Sequence, residues 1–207
     1  MDCPEGGTMF LKLNIFKKIL KKAWNGCGLF IGCKDGQLYM SGGWWCVKIL
    51  KENLEKKEKA ALIELVGELP EEGEAFKAFK DSGNQYEIGN LESLERLVAA
   101  EYKQPVNRTK LIYQIKDKKY RVFQEQKLQN CIFASEIVSE MIDEKVINLL
   151  EETVPEGPFT CDTKTPLYWE NNVMSFLVLK INTDEDEETT LVKQLLENME
   201  LPKIGAK

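Results

Sequence analysis

The dipeptide Asp35-Gly36 lies between the apolar runs G-L-F-I-G-C and Q-L-Y-M-S. Asp-Gly set between alternating apolar segments signals a two-residue hairpin turn, because both residues tolerate the positive φ such turns need. A second punctuation, Gly42-Gly43, separates Q-L-Y-M-S from W-W-C-V-K-I-L. Residues 28 to 50 are therefore predicted to form an antiparallel three-stranded meander, which commits the chain to a sheet.

Upstream, T-M-F-L-K-L-N alternates and predicts a short strand over residues 8 to 14, with Asn14 capping a helix that follows. In that helix Ile15, Phe16, Ile19, Leu20 and Ala23 recur at helical spacing, and Lys17, Lys18, Lys21 and Lys22 occupy the opposite side. A second helix is expected over residues 52 to 66, with Glu52/Lys56 and Glu55/Lys59 as i,i+4 pairs and Gly67 at its end. A third is expected from Leu91 to Tyr102, while Phe76 to Asn90 carries no decisive pattern. K-L-I-Y-Q-I and Y-R-V-F-Q predict a hairpin around Lys116 to Lys119, and Ser135 caps a helix whose apolar face is Ile137, Val138, Met141 and Ile142. P-F-T-C-D-T, P-L-Y-W-E and M-S-F-L-V-L-K-I-N read as strands. The acidic run D-E-D-E-E then opens a last helix with Leu191, Leu195 and Met199 on one face, acids belonging at a helix start.

What the chain lacks narrows its chemistry. None of its 207 residues is histidine, which removes Ser-His-Asp and Cys-His nucleophilic sites, H-E-x-x-H helices and Cys/His zinc fingers. The six cysteines contain no C-x-x-C pair and read as free thiols of a reducing compartment. Asp2 and Glu5 stand where a signal peptide would carry positive charge, and no apolar run reaches a membrane span. The expectation is a cytoplasmic, membrane-free protein with no cofactor, no metal site and no catalytic residue. Formal net charge is -6, yet residues 6 to 34 carry six lysines and no acid. That local excess can face phosphates on an otherwise acidic molecule.

The two halves echo each other. G-L-F-I-G-C-K-D-G-Q-L-Y-M from Gly28 runs parallel to G-P-F-T-C-D-T-K-T-P-L-Y-W from Gly157, matching Phe30 with Phe159 and Leu38-Tyr39 with Leu167-Tyr168. After a three-residue insertion Val47-Lys48-Ile49 meets Leu179-Lys180-Ile181. The fold expected is α+β, with two pseudo-repeats of strand-helix-strand-strand-strand and antiparallel sheets. The first repeat would occupy residues 1–104 with extra helices, the second 105–183, and the acidic amphipathic helix 184–207, all within reach of one compact domain.

This doubled unit resembles the domain plan of the DNA sliding clamps, the polymerase processivity factors, and A-A-L-I-E-L-V-G-E-L-P-E-E-G-E is similar to segments of clamp-like proteins of bacteria and their mobile elements. The resemblance covers most of residues 9 to 182. It implies helices that present basic residues to DNA phosphates, sheets that receive partner peptides, and several copies to close a ring, since one chain holds a single pair of repeats. Lys17, Lys18, Lys21 and Lys22 stand at the positions of phosphate-facing residues. The corresponding second helix departs from the pattern with Glu136, Glu140 and Asp143.

The lysines also fit a plain solvated helix face, and with Trp24 a membrane foot, which the preceding strand opposes. Trp44, Trp45 and Trp169 are candidate partner-binding rings, and with Tyr39 and Tyr168 a base-stacking platform. Adjacent Trp44 and Trp45 must point to opposite faces of a sheet, so one belongs to the core. Three functions follow as expectations. One is a non-enzymatic clamp-like scaffold seating double-stranded DNA nonspecifically on the lysine helix while binding protein partners. The second is a protein-interaction module without nucleic acid, and the third a histidine-free enzyme built on carboxylates.

Overall fold

Asp35 (φ 52°) and Gly36 (φ 69°) both lie in the left-handed region, and Lys34 pairs with Gln37 across them. That geometry is a two-residue turn matching the twist of the strands it joins. Glu72 secures it, its carboxylate accepting the backbone N–H groups of Asp35 (2.5 Å) and Gly36 (3.1 Å). Those two donors hold the Glu72 carboxyl below the ordinary glutamate range. The hairpin joins β1 (Leu29–Lys34) to β2 (Gln37–Ser41), and β3 (Trp45–Leu50) completes the meander.

A computed structural model describes residues 9–86, 91–98, 103–127, 129–140, 155–160, 167–180 and 187–204. It is α+β, and the described residues are organised on one antiparallel sheet of eleven strands. Helix α1 (Leu13–Asn25) precedes the meander. A short 3-10 turn, α2 (Lys56–Val66), β4 (Ala75–Phe79), β5 (Gly83–Gln85) and α3 (Leu91–Val98) follow it. Then come β6 (Gln104–Ile115), β7 (Lys118–Glu125), β8 (Cys131–Ser135), α4 (Glu136–Ser139), β9 (Glu156–Thr160), β10 (Leu167–Glu170), β11 (Met174–Val178) and α5 (Glu187–Glu197). The strand order is β5-β4-β1-β2-β3-β11-β10-β9-β6-β7-β8. The boundary expected after residue 104 falls on the first residues of β6, and the sheet continues across it because Gln104 and Pro105 pair with β9.

Two meanders meet at the centre, where β3 and β11 run antiparallel with Met174 opposite Ile49 and Val178 opposite Trp45. Gly28 (φ 89°) and Gly157 (φ 117°) both take left-handed backbone at the head of their meanders. The end of the expected correspondence differs. Leu179 and Lys180, the expected counterparts of Val47 and Lys48 in β3, lie beyond β11, which stops at Val178; Leu179 is exposed, and Ile181 lies outside the described residues.

Strand alternation divides the core. Leu38, Met40, Val47, Ile49, Leu167, Trp169, Met174 and Phe176 point to one face, where Phe16, Ile19 and Leu20 of α1 and Leu62 and Val66 of α2 cover them. Tyr39, Cys46, Tyr168 and Leu177 point to the other, against Leu91, Leu94 and Val98 of α3. At the β7–β8 end, Leu196 of α5 and Leu201 cover Val122, Cys131 and Phe133. Burial pushes the thiols of Cys46 and Cys131 up to about 12, while Cys27 is exposed; Cys3 and Cys161 lie outside the described residues. Among the described residues no helix is long and apolar enough to cross a membrane.

Several local expectations are corrected. The predicted strand over residues 8 to 14 is absent among the described residues except for a bridge at Leu11. Met9, Phe10 and Leu11 are buried in succession, and Leu13 already belongs to the helix. The helix begins before Asn14 because the Phe16 N–H bonds the Lys12 carbonyl at 2.9 Å, which makes Lys12 the cap and leaves Asn14 exposed. The second helix starts at Lys56 rather than residue 52. Buried Leu54 and the extended cap Glu55 separate it from the 3-10 turn, so neither expected i,i+4 pair has both partners inside the helix. The ends of the helices expected to Tyr102 and over Met141 and Ile142 lie outside the described residues.

Candidate nucleic-acid interface

α1 is amphipathic by necessity of its sequence. Phe16, Ile19, Leu20 and Ala23 fall on one side and are buried to 3% exposure or less, anchoring the helix by about 1.5 to 3 kcal/mol for each large side chain. Lys17, Lys18, Lys21 and Lys22 are turned to solvent. α1 itself contains no acid, and among the described residues none of the four lysines forms an ion pair. Four positive charges on two successive turns of a helix that holds no acid form a surface suited to phosphates.

The C-terminal end of α1 is seated on the β2–β3 turn. A methyl group at Gly42 would stand 2.9 Å from the Ala23 Cβ and 2.4 Å from the Trp45 indole nitrogen, so this turn admits only glycine without movement. The half-buried Trp44 ring packs against the core, and the Lys22 ammonium lies 5.8 Å from its centroid. The contact fixes Lys22 over an aromatic face while leaving the lysine exposed. The indole therefore carries a lysine rather than presenting an open stacking surface.

The other two tryptophans are interior. Trp45 is 2% exposed and its ring nitrogen is buried without a hydrogen-bond partner. Trp169 is 3% exposed, stacked on Phe176 at 5.7 Å and edge-on to Phe123 at 6.0 Å. Both point to the face covered by α1 and α2, which removes them from the expected set of partner-facing rings. Tyr39 and Tyr168 are buried on the opposite face, so the five aromatics do not form a platform.

The sequence predicts α2 as a helix but does not place it in this surface. Both helices lie on the same side of the sheet and touch each other. The K-K-E-K run at residues 56 to 59 exposes Lys56, Lys57 and Lys59 next to the α1 lysines. Glu58, the acid within that run, is 5% exposed and turned inward, with one carboxylate oxygen lacking a hydrogen-bond partner. Burial, and with it the charge of Glu55, raises its carboxyl above the ordinary range, against its own backbone N–H and the charges of Lys57 and Lys17. The signal was present as a lysine-rich helical start, but its adjacency to α1 is tertiary.

In the second half, Glu136 has a cation beside it. Glu136 lies 3.7 Å from the guanidinium of Arg121, which also donates to the Thr109 carbonyl at 3.3 Å. Burial, and after it the charge of Arg108, holds Arg121 below its ordinary value, while Glu136 and Glu140 act in the opposite sense. Glu136 and Glu140 therefore stand in a mixed-charge cluster rather than a bare acidic face; Asp143 lies outside the described residues. No protein-family model, curated protein or solved structure matches the chain.

Proposed function

We propose that this chain is a non-enzymatic, clamp-like binding scaffold in DNA transactions that seats the backbone of double-stranded DNA on α1 without reading its sequence. The observation that carries this reading is the set of four exposed lysines on a helix free of acids and anchored to the sheet. Duplex rather than single-stranded DNA fits, because nonspecific single-strand binders combine cationic grooves with open aromatic rings. Trp44 is half-buried under Lys22. The clamp-like part of the proposal is supported by the order α1-β1-β2-β3 and α4-β9-β10-β11, and by the meeting of the two meanders at β3 and β11. With one such pair per chain, a ring would need several copies.

Titration of labelled duplex at low and moderate salt tests the reading. The four α1 contacts would contribute about -3.6 to the slope of log Kobs against log salt, from roughly 0.9 per contact. Replacing Lys17, Lys18, Lys21 and Lys22 together by glutamate abolishes binding. Undetectable binding of the native chain at low salt, or unchanged binding by the variant, defeats the proposal.

A second reading, a protein-interaction module that never touches nucleic acid, is favoured by one observation. Leu191, Leu195 and Met199 are 58%, 59% and 56% exposed along the outer side of α5 and the residues just after it. Contiguous exposed apolar surface of this kind marks interaction sites. Recovery of protein partners after nuclease treatment, with loss on substituting Leu191 and Leu195 by serine, would identify it.

A further inference from the structure

We propose that α2 supplies a second row of phosphate contacts, Lys56, Lys57 and Lys59, so that the polyanion surface is a two-helix platform rather than a single helix. The inference rests on the reading that α1 seats duplex DNA and extends it to residues outside the lysine stripe. Three observations place the rows together. α1 and α2 pack on the same face of the sheet, through Phe16, Ile19 and Leu20 and through Leu62 and Val66. They touch each other, and the charge of Lys17 acts on Glu58, which brings the N-terminal turn of α2 beside the lysine stripe. Lys56, Lys57 and Lys59 are exposed and, among the described residues, form no ion pair.

The sign of the platform depends on Glu58. α1 and α2 together hold seven lysines against two glutamates. One of the two, Glu58, is turned into the protein, and the other, Glu64, lies beyond the lysines toward the C-terminal end of α2. A phosphate approaching the first turn of α2 therefore meets three ammonium groups and the one exposed carboxylate of the cap Glu55, a local excess of positive charge, with the intervening Glu58 withdrawn. Lysine contacts of this sort act as point charges on the backbone, so each adds to the salt dependence without adding sequence preference.

The test uses the full chain and a labelled duplex, with affinity measured from 50 to 200 mM salt. Replacing Lys56, Lys57 and Lys59 by glutamine flattens the log–log slope by about 2.7, roughly 0.9 for each lost contact. Over the fourfold rise in salt, the native chain then loses about 40-fold more affinity than the variant. The corresponding arginine variant retains the charges and keeps the native slope, which separates a lost contact from a damaged helix. A glutamine variant with the native slope overturns the two-helix platform while leaving α1 as the seat of DNA. Absence of binding by the native chain at low salt overturns the reading of α1 itself, and α2 with it.

Discussion

α1 and α5 are both amphipathic helices, yet they present opposite faces to solvent. α1 buries Phe16, Ile19, Leu20 and Ala23 and exposes its lysines. α5 leaves Leu191 and Leu195 exposed, continuing to Met199, and meets the sheet instead through Leu196. The difference is in what lies beneath them. Under α1 is an unbroken apolar sheet face, from Leu29 through Met40 and Val47 to Phe176. Around α5 the anchors are largely polar: the Gln124 side chain donates to the Met199 carbonyl at 2.7 Å and accepts from the Leu201 N–H at 3.1 Å, and Glu197 accepts from the Cys131 N–H at 3.0 Å. Helical periodicity identifies an apolar stripe, but the surface opposite decides whether that stripe is covered.

The largest expected effect tests the buried half of the comparison. Phe16→Ala removes a fully buried ring from beneath the lysine stripe and lowers stability by about 3 to 5 kcal/mol in urea unfolding. Because the ring anchors the helix, the same variant also weakens the duplex binding proposed for α1, at temperatures where the rest of the sheet stays folded. A loss below about 1 kcal/mol would mean that α1 is held by something other than its apolar face.

Next in size is Gln124→Ala. It strands the buried Leu201 N–H, removes the donor to the Met199 carbonyl, and costs about 1 to 3 kcal/mol. Hydrogen exchange resolves where that cost falls. Protection is lost first in the last turn of α5 and at Cys131, while α1 and β1–β3 keep theirs.

Glu58→Gln acts in the stabilising direction. The native carboxyl is raised by burial, so the folded state binds its proton more tightly than the unfolded chain does. That linkage stabilises the fold below the ordinary glutamate range, and the contribution is lost as pH rises through the raised folded value. The neutral glutamine does not carry this pH-dependent loss. At pH 7 the variant is therefore more stable by about 1 kcal/mol, a small value for a buried acceptor left unpaired. The two proteins converge as pH falls toward 4. A variant less stable than the native chain at pH 7 would show that the Glu58 charge is needed between Lys17 and Lys57.

Much of this arrangement was legible where the cause is local. Asp35-Gly36 announces its turn because the backbone angles it needs are available to those two residues, and the α1 lysines separate from the apolar residues because a helix repeats every 3.6 residues. β4 and β5 were not legible. A-F-K-A-F alternates only between Phe76 and Ala78, and its stability as a strand comes from pairing with β1, more than forty residues away. The same limit hid three of the seven lysines of the candidate site: Lys56, Lys57 and Lys59 join the α1 stripe only through packing of α1 against α2. Which of Trp44 and Trp45 would enter the core depended on a sheet face that only the full strand order defines.

The smallest expected effect tests the exposed half of the comparison. Leu191→Ser combined with Leu195→Ser should change stability by no more than about 0.5 kcal/mol, because neither side chain is buried within its own chain. Serine is a poorer helix former than leucine, which accounts for the direction of any small loss. Thermal unfolding of the isolated chain measures this, and sedimentation of the native and substituted proteins at matched concentrations measures association. Unchanged unfolding with reduced association would assign the stripe to an intermolecular contact. A stability loss above about 1 kcal/mol at a concentration where the native chain is monomeric would mean that Leu191 and Leu195 pack against their own chain. α5 would then join α1 as a helix that buries its apolar face.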